Sequence, residues 1–363
     1  MTINDLGWQV YTTKIPDATR HNPQHVGRVV FQDATRYGVF SNHGETEGIV
    51  RGAMRRGAAF SSQLPKVGDW VVIEPLPGEA KVVIKEVLPR FSKISRKALG
   101  KKGEEQVVAC NINTAFIVEG LDNDFNLNRL ERYLAAIIQS GAQPVILLNK
   151  ADVHMDAVQV LAQVQAAHPD VPVYIVSALQ ETGLEALTRH VPAGETSVVV
   201  GSSGAGKSTL INVLLHTEVQ KTKEVRADDS RGRHTTTRRE LFMLPGGGMC
   251  IDTPGMRELQ LWAETSAPAE SVFADIEALS EQCRYHDCDH EKSEGCAVLA
   301  AIRRGELEAS RYRSFLKLKK ELAFGQSQRQ LRVQRDRRDN AKRLSRQIKQ
   351  LYKTRRARQF GKE

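Results

Sequence analysis

No stretch of this 363-residue chain approaches the ~20 consecutive apolar residues that a membrane-spanning helix needs, so a transmembrane helix is excluded. Met1 to Val10 carry no basic segment followed by an apolar run, so no secretory leader is expected and an unprocessed, cytoplasmic chain is the reading. Cysteine is scarce: five residues, an odd number in a chain without a secretion signal, argue against a disulfide framework. No internal repeat is evident, which excludes a solenoid. What is present is ordinary for a globular protein, 40% hydrophobic and 26% charged, with length enough for two or three cores.

The net charge of +9 is unevenly spread. Residues 326–363 hold 14 Lys or Arg against Asp336, Asp339 and Glu363, a local balance of +11, so the remaining 38 basic and 40 acidic residues sum to −2. A concentrated cationic tail suits a polyanion, because neutralising phosphates releases condensed counterions. Within it Ala341, Leu344, Ile348 and Leu351 recur at helical spacing among Lys342, Arg343, Arg346, Lys349 and Lys353. Such a basic amphipathic helix suits RNA, a partner or a membrane surface; the stripe is narrow, with Tyr352 its one bulky aromatic, which favours RNA.

From Val26 to Lys93, β-branched runs alternate with Gly and Pro: 27–31, 47–50, 69–73 and 81–84. This spacing predicts a small antiparallel barrel, best fitted by an OB-type fold, with an SH3-like barrel or small sandwich also compatible. Arg51, Arg55, Arg56, Arg90, Lys93, Arg96, Lys97, Lys101 and Lys102 predict a basic side on it. Beyond Glu105 the rhythm becomes strand, helix, strand: strands at 114–118, 144–148, 173–176 and 197–200 and a helix over 128–139 predict a mainly parallel sheet with helices on both faces. After Leu261 the chain reads as helices around a Cys/His cluster. The domains expected are 1–104 (N-terminal segment and barrel), 105–261 (mainly parallel α/β), 262–325 (helical, metal-binding) and 326–363 (basic tail).

Gly201-Ser202-Ser203-Gly204-Ala205-Gly206-Lys207-Ser208-Thr209 follows an apolar strand and precedes a helix-like run, the setting of a phosphate loop. Its glycines let N–H groups converge on phosphate, Lys207 adds a cation toward the β- and γ-phosphates, and the Ser208 hydroxyl suits Mg²⁺. Base choice must come from elsewhere. In Asn149-Lys150-Ala151-Asp152 the Asp152 carboxylate suits guanine N1–H and its exocyclic amine, a donor pattern that adenine lacks. Asn149 would bind the base's other edge or brace the loop, Lys150 would pack along the base, and Ser177-Ala178 ends the next strand. This guanine-selecting loop precedes the phosphate loop, the reverse of the usual order, which implies circular permutation with switch segments near the domain's C-terminal end.

Asp252-Thr253-Pro254-Gly255 resembles a second switch, with Asp252 holding Mg²⁺ through water and the Gly255 N–H meeting the γ-phosphate. A first switch is expected in 231–238, where either Thr236 or Thr237 reaches Mg²⁺. Met256 stands where many signalling GTPases carry a water-orienting glutamine; a thioether cannot polarise water, so another residue must, and His234 is the nearest by type. Cys283, Cys288, His290 and Cys296 offer three thiolates and an imidazole for one tetrahedral Zn²⁺, with no open position, hence a structural ion. His286 is a less favoured ligand, and Cys110 and Cys250 sit in apolar strand contexts that predict core positions.

Together, the permuted order, the 232–237 Gly-Arg-His-Thr-Thr-Thr run, the 252–258 Asp-Thr-Pro-Gly-Met-Arg-Glu segment and the Cys/Cys/His/Cys spacing resemble the bacterial RsgA family of small-subunit-dependent GTPases. The resemblance implies an N-terminal OB domain, a permuted GTPase centre and a C-terminal zinc domain. It further implies a late-acting maturation factor of the 30S subunit; the partners expected are the subunit and its 16S rRNA, and the expected state is a monomer. GTP hydrolysis to GDP, stimulated by the subunit and assisted at His234, would drive its release. Two other classes fit parts of the pattern: a nucleotide-gated RNA clamp with incidental hydrolysis, and an ATP-dependent P-loop kinase. The proximity of Asp252–Leu259 to Cys283 suggests that permutation couples the switch to the metal-bound end through residues 260–282.

Overall fold

Five strands, β1 (Val26–Gln32), β2 (Tyr37–Ser41), β3 (Gly44–Val50), β4 (Trp70–Pro75) and β5 (Lys81–Val87), close a barrel in the order β1-β2-β3-β5-β4, with β4 returning to β1. β3 and β5 run parallel and the other pairs antiparallel, the Greek-key connectivity of an OB-type barrel. Alternating β-branched residues put Val29, Val39, Val71, Ile73, Val82 and Ile84 inside. Gly48 sits where an added Cβ would lie 2.7 Å from Val39 Cγ2, so the strand needs a glycine for its walls to approach. The computed structural model describes residues 1–33, 36–52, 54, 61–97, 105–122, 125–215, 239–252, 272–290, 292–317, 319, 320 and 338.

Before the barrel, helix α1 (Trp8–Lys14) sets Trp8 edge to face against Trp70 at 4.9 Å and Tyr11 tilted against the same ring at 5.7 Å. After it, an antiparallel ribbon of β6 (Lys93–Lys97) and β7 (Glu105–Cys110) leads into the second unit. There β8 (Thr114–Gly120), α2 (Leu127–Ser140), β9 (Gln143–Asn149), α3 (Ala157–Ala167), β10 (Val173–Ile175), α4 (Glu185–Arg189), β11 (Thr196–Gly201), α5 (Lys207–Leu215), β12 (Arg239–Met243) and β13 (Met249–Asp252) follow. Strands β10-β9-β8-β11-β13 form a parallel sheet and β12 adds antiparallel to β13.

Period-two alternation sends Ala115, Ile117, Ile146, Leu148, Val198 and Val200 to the face covered by α2 and α3. Phe116, Val118, Val145, Leu147 and Val199 pack on the other face with Leu210, Ile211 and Leu214 of α5. Cys110 and Cys250 are buried as free thiols, as their strand contexts predict.

The two units share one sheet of eleven strands, because Phe31 and Gln32 of β1 pair with Glu240 and Arg239 of β12. Arg28, fully buried on β1, reinforces this seam. Its guanidinium donates to Thr196 Oγ1 (2.8 Å) and to the carbonyls of Leu6, Gly68 and Asn111, and lies over Trp70. Burial pulls its pKa down to about 9, which leaves it charged at neutral pH.

The C-terminal unit packs α6 (Ala274–Ser280), α7 (Ala297–Arg304) and a helix over 309–317 around Phe273, Ile276, Val298, Ala301, Tyr312 and Phe315. Phe273 and Phe315 meet edge to face at 5.5 Å. Among the described residues no helix is long and apolar enough to cross a membrane. The tail 326–363, Arg338 apart, lies outside the described residues.

Candidate nucleotide site and metal centre

The carboxyl ends of β8, β9, β10, β11 and β13 lie on one edge of the sheet, where parallel α/β folds place ligands. Gly201 ends β11, and the loop from Ser202 to Gly206 leads into α5, so Lys207, Ser208 and Thr209 begin that helix at its positive dipole end. The loop's shape demands glycine at two points. Gly201, at φ +146°, has the Val118 carbonyl 2.1 Å from where a Cβ would stand; Gly206, at φ +95°, has Asn149 Nδ2 at the same distance. Ser203, Gly204 and Ser208 are exposed, Ala205 is buried, and Lys207 Nζ donates to the Ser202 carbonyl.

Asn149 ends β9 and braces three loops at once. Its Nδ2 donates to the Ala205 carbonyl at 2.8 Å and its Oδ1 accepts from the Ala178 N–H at 3.0 Å, while its own carbonyl accepts from the Leu121 N–H. These contacts are those of the bracing role among the two expected for Asn149. Lys150 adopts φ +65°, and its ammonium pairs with Asp122, two residues beyond the end of β8. Ala151 begins a short turn of helix, and Asp152 accepts from the Ser177 hydroxyl at 2.5 Å while that hydroxyl accepts from the Gln180 N–H. The expected residues Asn149, Lys150, Ala151, Asp152, Ser177 and Ala178 thus come together with the phosphate loop on one sheet edge. Asp122 went unread in the sequence; its place just past a parallel strand was the signal for it. Asp252 ends β13 on the same edge. His234, Thr236, Thr237, Gly255 and Met256 lie outside the described residues.

In the C-terminal unit, Cys283, Cys288, His290 and Cys296 bring their ligand atoms within 4.8 Å of one another. Cys283 Sγ lies 3.9 Å from Cys296 Sγ, and His290 Nδ1 lies 3.5 and 3.6 Å from these two sulfurs. A tetrahedron with metal–sulfur bonds of about 2.3 Å has sulfur–sulfur edges of about 3.8 Å, so the spacing fits one tetrahedral ion. Two backbone N–H groups, of Ala297 and Leu299, donate to the Cys283 and Cys296 sulfurs, as thiolates favour. Burial, then the Lys319 charge, lower the His290 pKa, which keeps the imidazole neutral for ligation. His286 stands outside this cluster.

α2 carries the contact between the two units. Arg311 pairs with Asp275 (2.8 Å) and with buried Glu131 of α2, beside His168 at the end of α3. Burial lifts Glu131 to about 7 against the pull of Arg311 and drops His168 to about 4. The predicted basic side of the barrel is partly consumed by ion pairs. Arg90 forks onto buried Asp69, Lys93 meets Glu105, and Arg51 meets Glu74. Arg55, Arg56, Lys101 and Lys102 lie outside the described residues.

A guanine-type loop ahead of a phosphate loop on one parallel sheet defines a circularly permuted phosphate-loop GTPase. Known proteins agree. The RsgA GTPase family model matches residues 87–262. Small ribosomal subunit biogenesis GTPase RsgA 1 of Oceanobacillus iheyensis is 43% identical over 324 residues, 89% of this chain and 92% of that protein. RsgA 2 of Lactiplantibacillus plantarum is 40% identical over 354 residues, 97% of this chain and 99% of its own. The crystal structures of YjeQ from Thermotoga maritima and of YloQ, described as a circularly permuted GTPase, superpose with a TM-score of 0.59 each at 22% identity. They cover 82% and 84% of this chain and 98% of their own, a likeness of fold. The chain belongs to the RsgA GTPase family, whose chemistry is GTP hydrolysis with Mg²⁺.

Proposed function

We propose that this chain binds the small ribosomal subunit through 16S rRNA, acts late in 30S maturation in the cytoplasm as a monomer, and hydrolyses GTP to GDP with stimulation by the subunit. Hydrolysis then releases it. The reading is carried by identity of about 40% along nearly the whole length of proteins named for small-subunit biogenesis.

In this reading Asp152, oriented by Ser177, accepts from guanine N1–H and the exocyclic amine, while Lys150, steadied by Asp122, lies along the base. Asn149 holds the base loop at a fixed distance from the phosphate loop, so guanine and phosphates are gripped in register. N–H groups of 201–209 surround the phosphates, and Lys207 exchanges the Ser202 carbonyl for phosphate oxygens. Mg²⁺, when bound, neutralises charge on the phosphates; Ser208, Asp252 through water, and Thr236 or Thr237 would hold it. His234 would orient the attacking water that Met256 cannot, and the Gly255 N–H would meet the γ-phosphate. The Cys283, Cys288, His290 and Cys296 set would hold Zn²⁺ as a structural ion. Ordering of the switches by the γ-phosphate is the two-state element that links nucleotide to subunit.

Release separates this function from an RNA clamp with incidental hydrolysis. Loaded onto purified 30S particles, the chain should leave faster with GTP than with a non-hydrolysable analogue; equal release sinks the hydrolysis-driven cycle.

A further inference from the structure

Between the GTPase unit and the C-terminal unit runs a groove of about 390 Å³ that none of the chemistry above uses. One wall is the start of α2, with Asn126, Asn128 and Arg132; the other is the 309–317 helix, with Ser310, Arg313, Ser314 and Lys317. The second set falls at i, i+3, i+4 and i+7, so a single helical face supplies it, and Asn128 and Arg132 stand one turn apart on α2. Among the described residues the lining holds three cations, two amides and two hydroxyls, with no aromatic or aliphatic side chain, and the Ser310 hydroxyl donates to the neighbouring Glu308 carboxylate at 2.9 Å. Among the described residues, none of Arg132, Arg313 and Lys317 enters an ion pair, in contrast to the barrel cations Arg90 and Lys93.

The walls are pinned. Asn126 caps α2, the Ser314 hydroxyl meets Asn128 across the groove, and Arg311 on the neighbouring helical position binds Asp275 and Glu131. An anion held here would therefore meet cations already in place, without first ordering the backbone that carries them.

We propose that this groove is a binding site for the phosphodiester backbone of an RNA strand, gripped at once by the GTPase unit and the metal-bound unit. The inference rests on the ribosomal reading above and adds the place where rRNA is held. Two features select RNA backbone. The lining cations Arg132, Arg313 and Lys317 outnumber the one carboxylate that touches the lining, Glu308, which accepts from the Ser310 hydroxyl at 2.9 Å, and among the described residues no lining side chain offers a surface on which a base could stack.

The test uses the full chain bound to a non-hydrolysable GTP analogue, with purified 30S subunits and, separately, protein-free 16S rRNA as probes. The dissociation constant is followed across a salt series for the unsubstituted chain and for the triple variant Arg132→Gln, Arg313→Gln, Lys317→Gln. GDP affinity and thermal midpoint serve as checks of folding. Losing three phosphate contacts should make the log–log salt slope shallower by about 2 to 3 on both probes. The single change Ser310→Asp, which places a carboxylate in the groove at an exposed position, should weaken binding to both probes as well. An unchanged slope beside intact binding by the unsubstituted chain overturns the groove alone. Weakened binding to 30S with none to protein-free rRNA also overturns it, in favour of an acidic protein surface. If the unsubstituted chain binds neither probe, the ribosomal reading fails and the groove with it.

Discussion

The GTPase unit meets its two neighbours in different ways. The barrel joins it through main chain, β1 laddered onto β12, with Arg28 filling the seam. The C-terminal unit joins it through side chains: Arg311, held by Asp275 of its own unit, pairs with Glu131 of α2, which lies 4.0 Å from His168 Nε2. β12 is the first described strand after the expected first switch, and its partner β13 ends at Asp252. A shift of that hairpin would thus be felt directly by a barrel strand. The charged seam, by contrast, contains Glu131 and His168, with pKa values of about 7 and about 4, and is open to adjustment by pH.

The largest contrast should come from metal removal. Structural zinc contributes about 10 kcal/mol or more of apparent binding energy to small domains. Cys288→Ser, or chelation, should therefore unfold the C-terminal unit, seen as rapid proteolysis beyond residue 272, while GDP binding persists. Loss of GDP binding as well would mean that the units do not fold independently.

Next, the two seams should differ in cost. Arg28→Ala removes a buried cation and leaves the Leu6, Gly68 and Asn111 carbonyls and Thr196 without it, an expected loss of about 3–5 kcal/mol in urea unfolding. Arg311→Met should cost less, about 1–3 kcal/mol, because Glu131 already titrates at about 7 and can take up a proton instead of standing as an unpaired charge. Equal losses would remove the distinction between the seams. Within the site itself, Asn149→Ala deletes two side-chain hydrogen bonds that couple base loop to phosphate loop. GDP affinity should fall by about 10- to 100-fold, with the fold intact.

The smallest effect is the most specific. Glu131 is raised from 4.5 to about 7, so the folded state holds its proton where the unfolded state has lost it, and this contribution declines as pH rises from about 4.5 to 7. His168 is lowered from 6.5 to about 4, so its contribution grows with pH from about 4 to 6.5. The two oppose each other. Urea midpoints of the unsubstituted chain should vary little with pH on this account, whereas His168→Gln should lose stability as pH rises through that window and Glu131→Gln should gain it. Parallel profiles in both variants would contradict the assignment.

Motifs were legible in the sequence wherever one residue type is required by geometry. Gly201 and Gly206 stand at positive φ against neighbouring atoms, Asn149 uses both amide atoms, and Cys283, Cys288, His290 and Cys296 bring their ligand atoms within 4.8 Å of one another. β-branched runs showed four barrel strands, but not β2, whose Gly38 and flanking polar residues blunt the pattern. The ribbon of β6 and β7 was hidden because Lys93 and Arg96 read as a basic side, whereas in the folded protein they pair across the two strands with Glu105 and Gln106. Arg28 was opaque for a different reason: an arginine inside a core is visible only once its carbonyl partners are placed. Sequence order pointed to coupling between switch and metal end through 260–282, of which 260–271 lie outside the described residues; the β1–β12 ladder adds the barrel as a second neighbour of the switch.

The most direct test of a ribosome-dependent GTPase is multiple-turnover GTP hydrolysis by the full chain with and without purified 30S subunits, at low and at raised salt. The account predicts slow intrinsic turnover, strong stimulation by the subunit, and stimulation that falls steeply with salt. A rate unaffected by 30S subunits at low salt would contradict it.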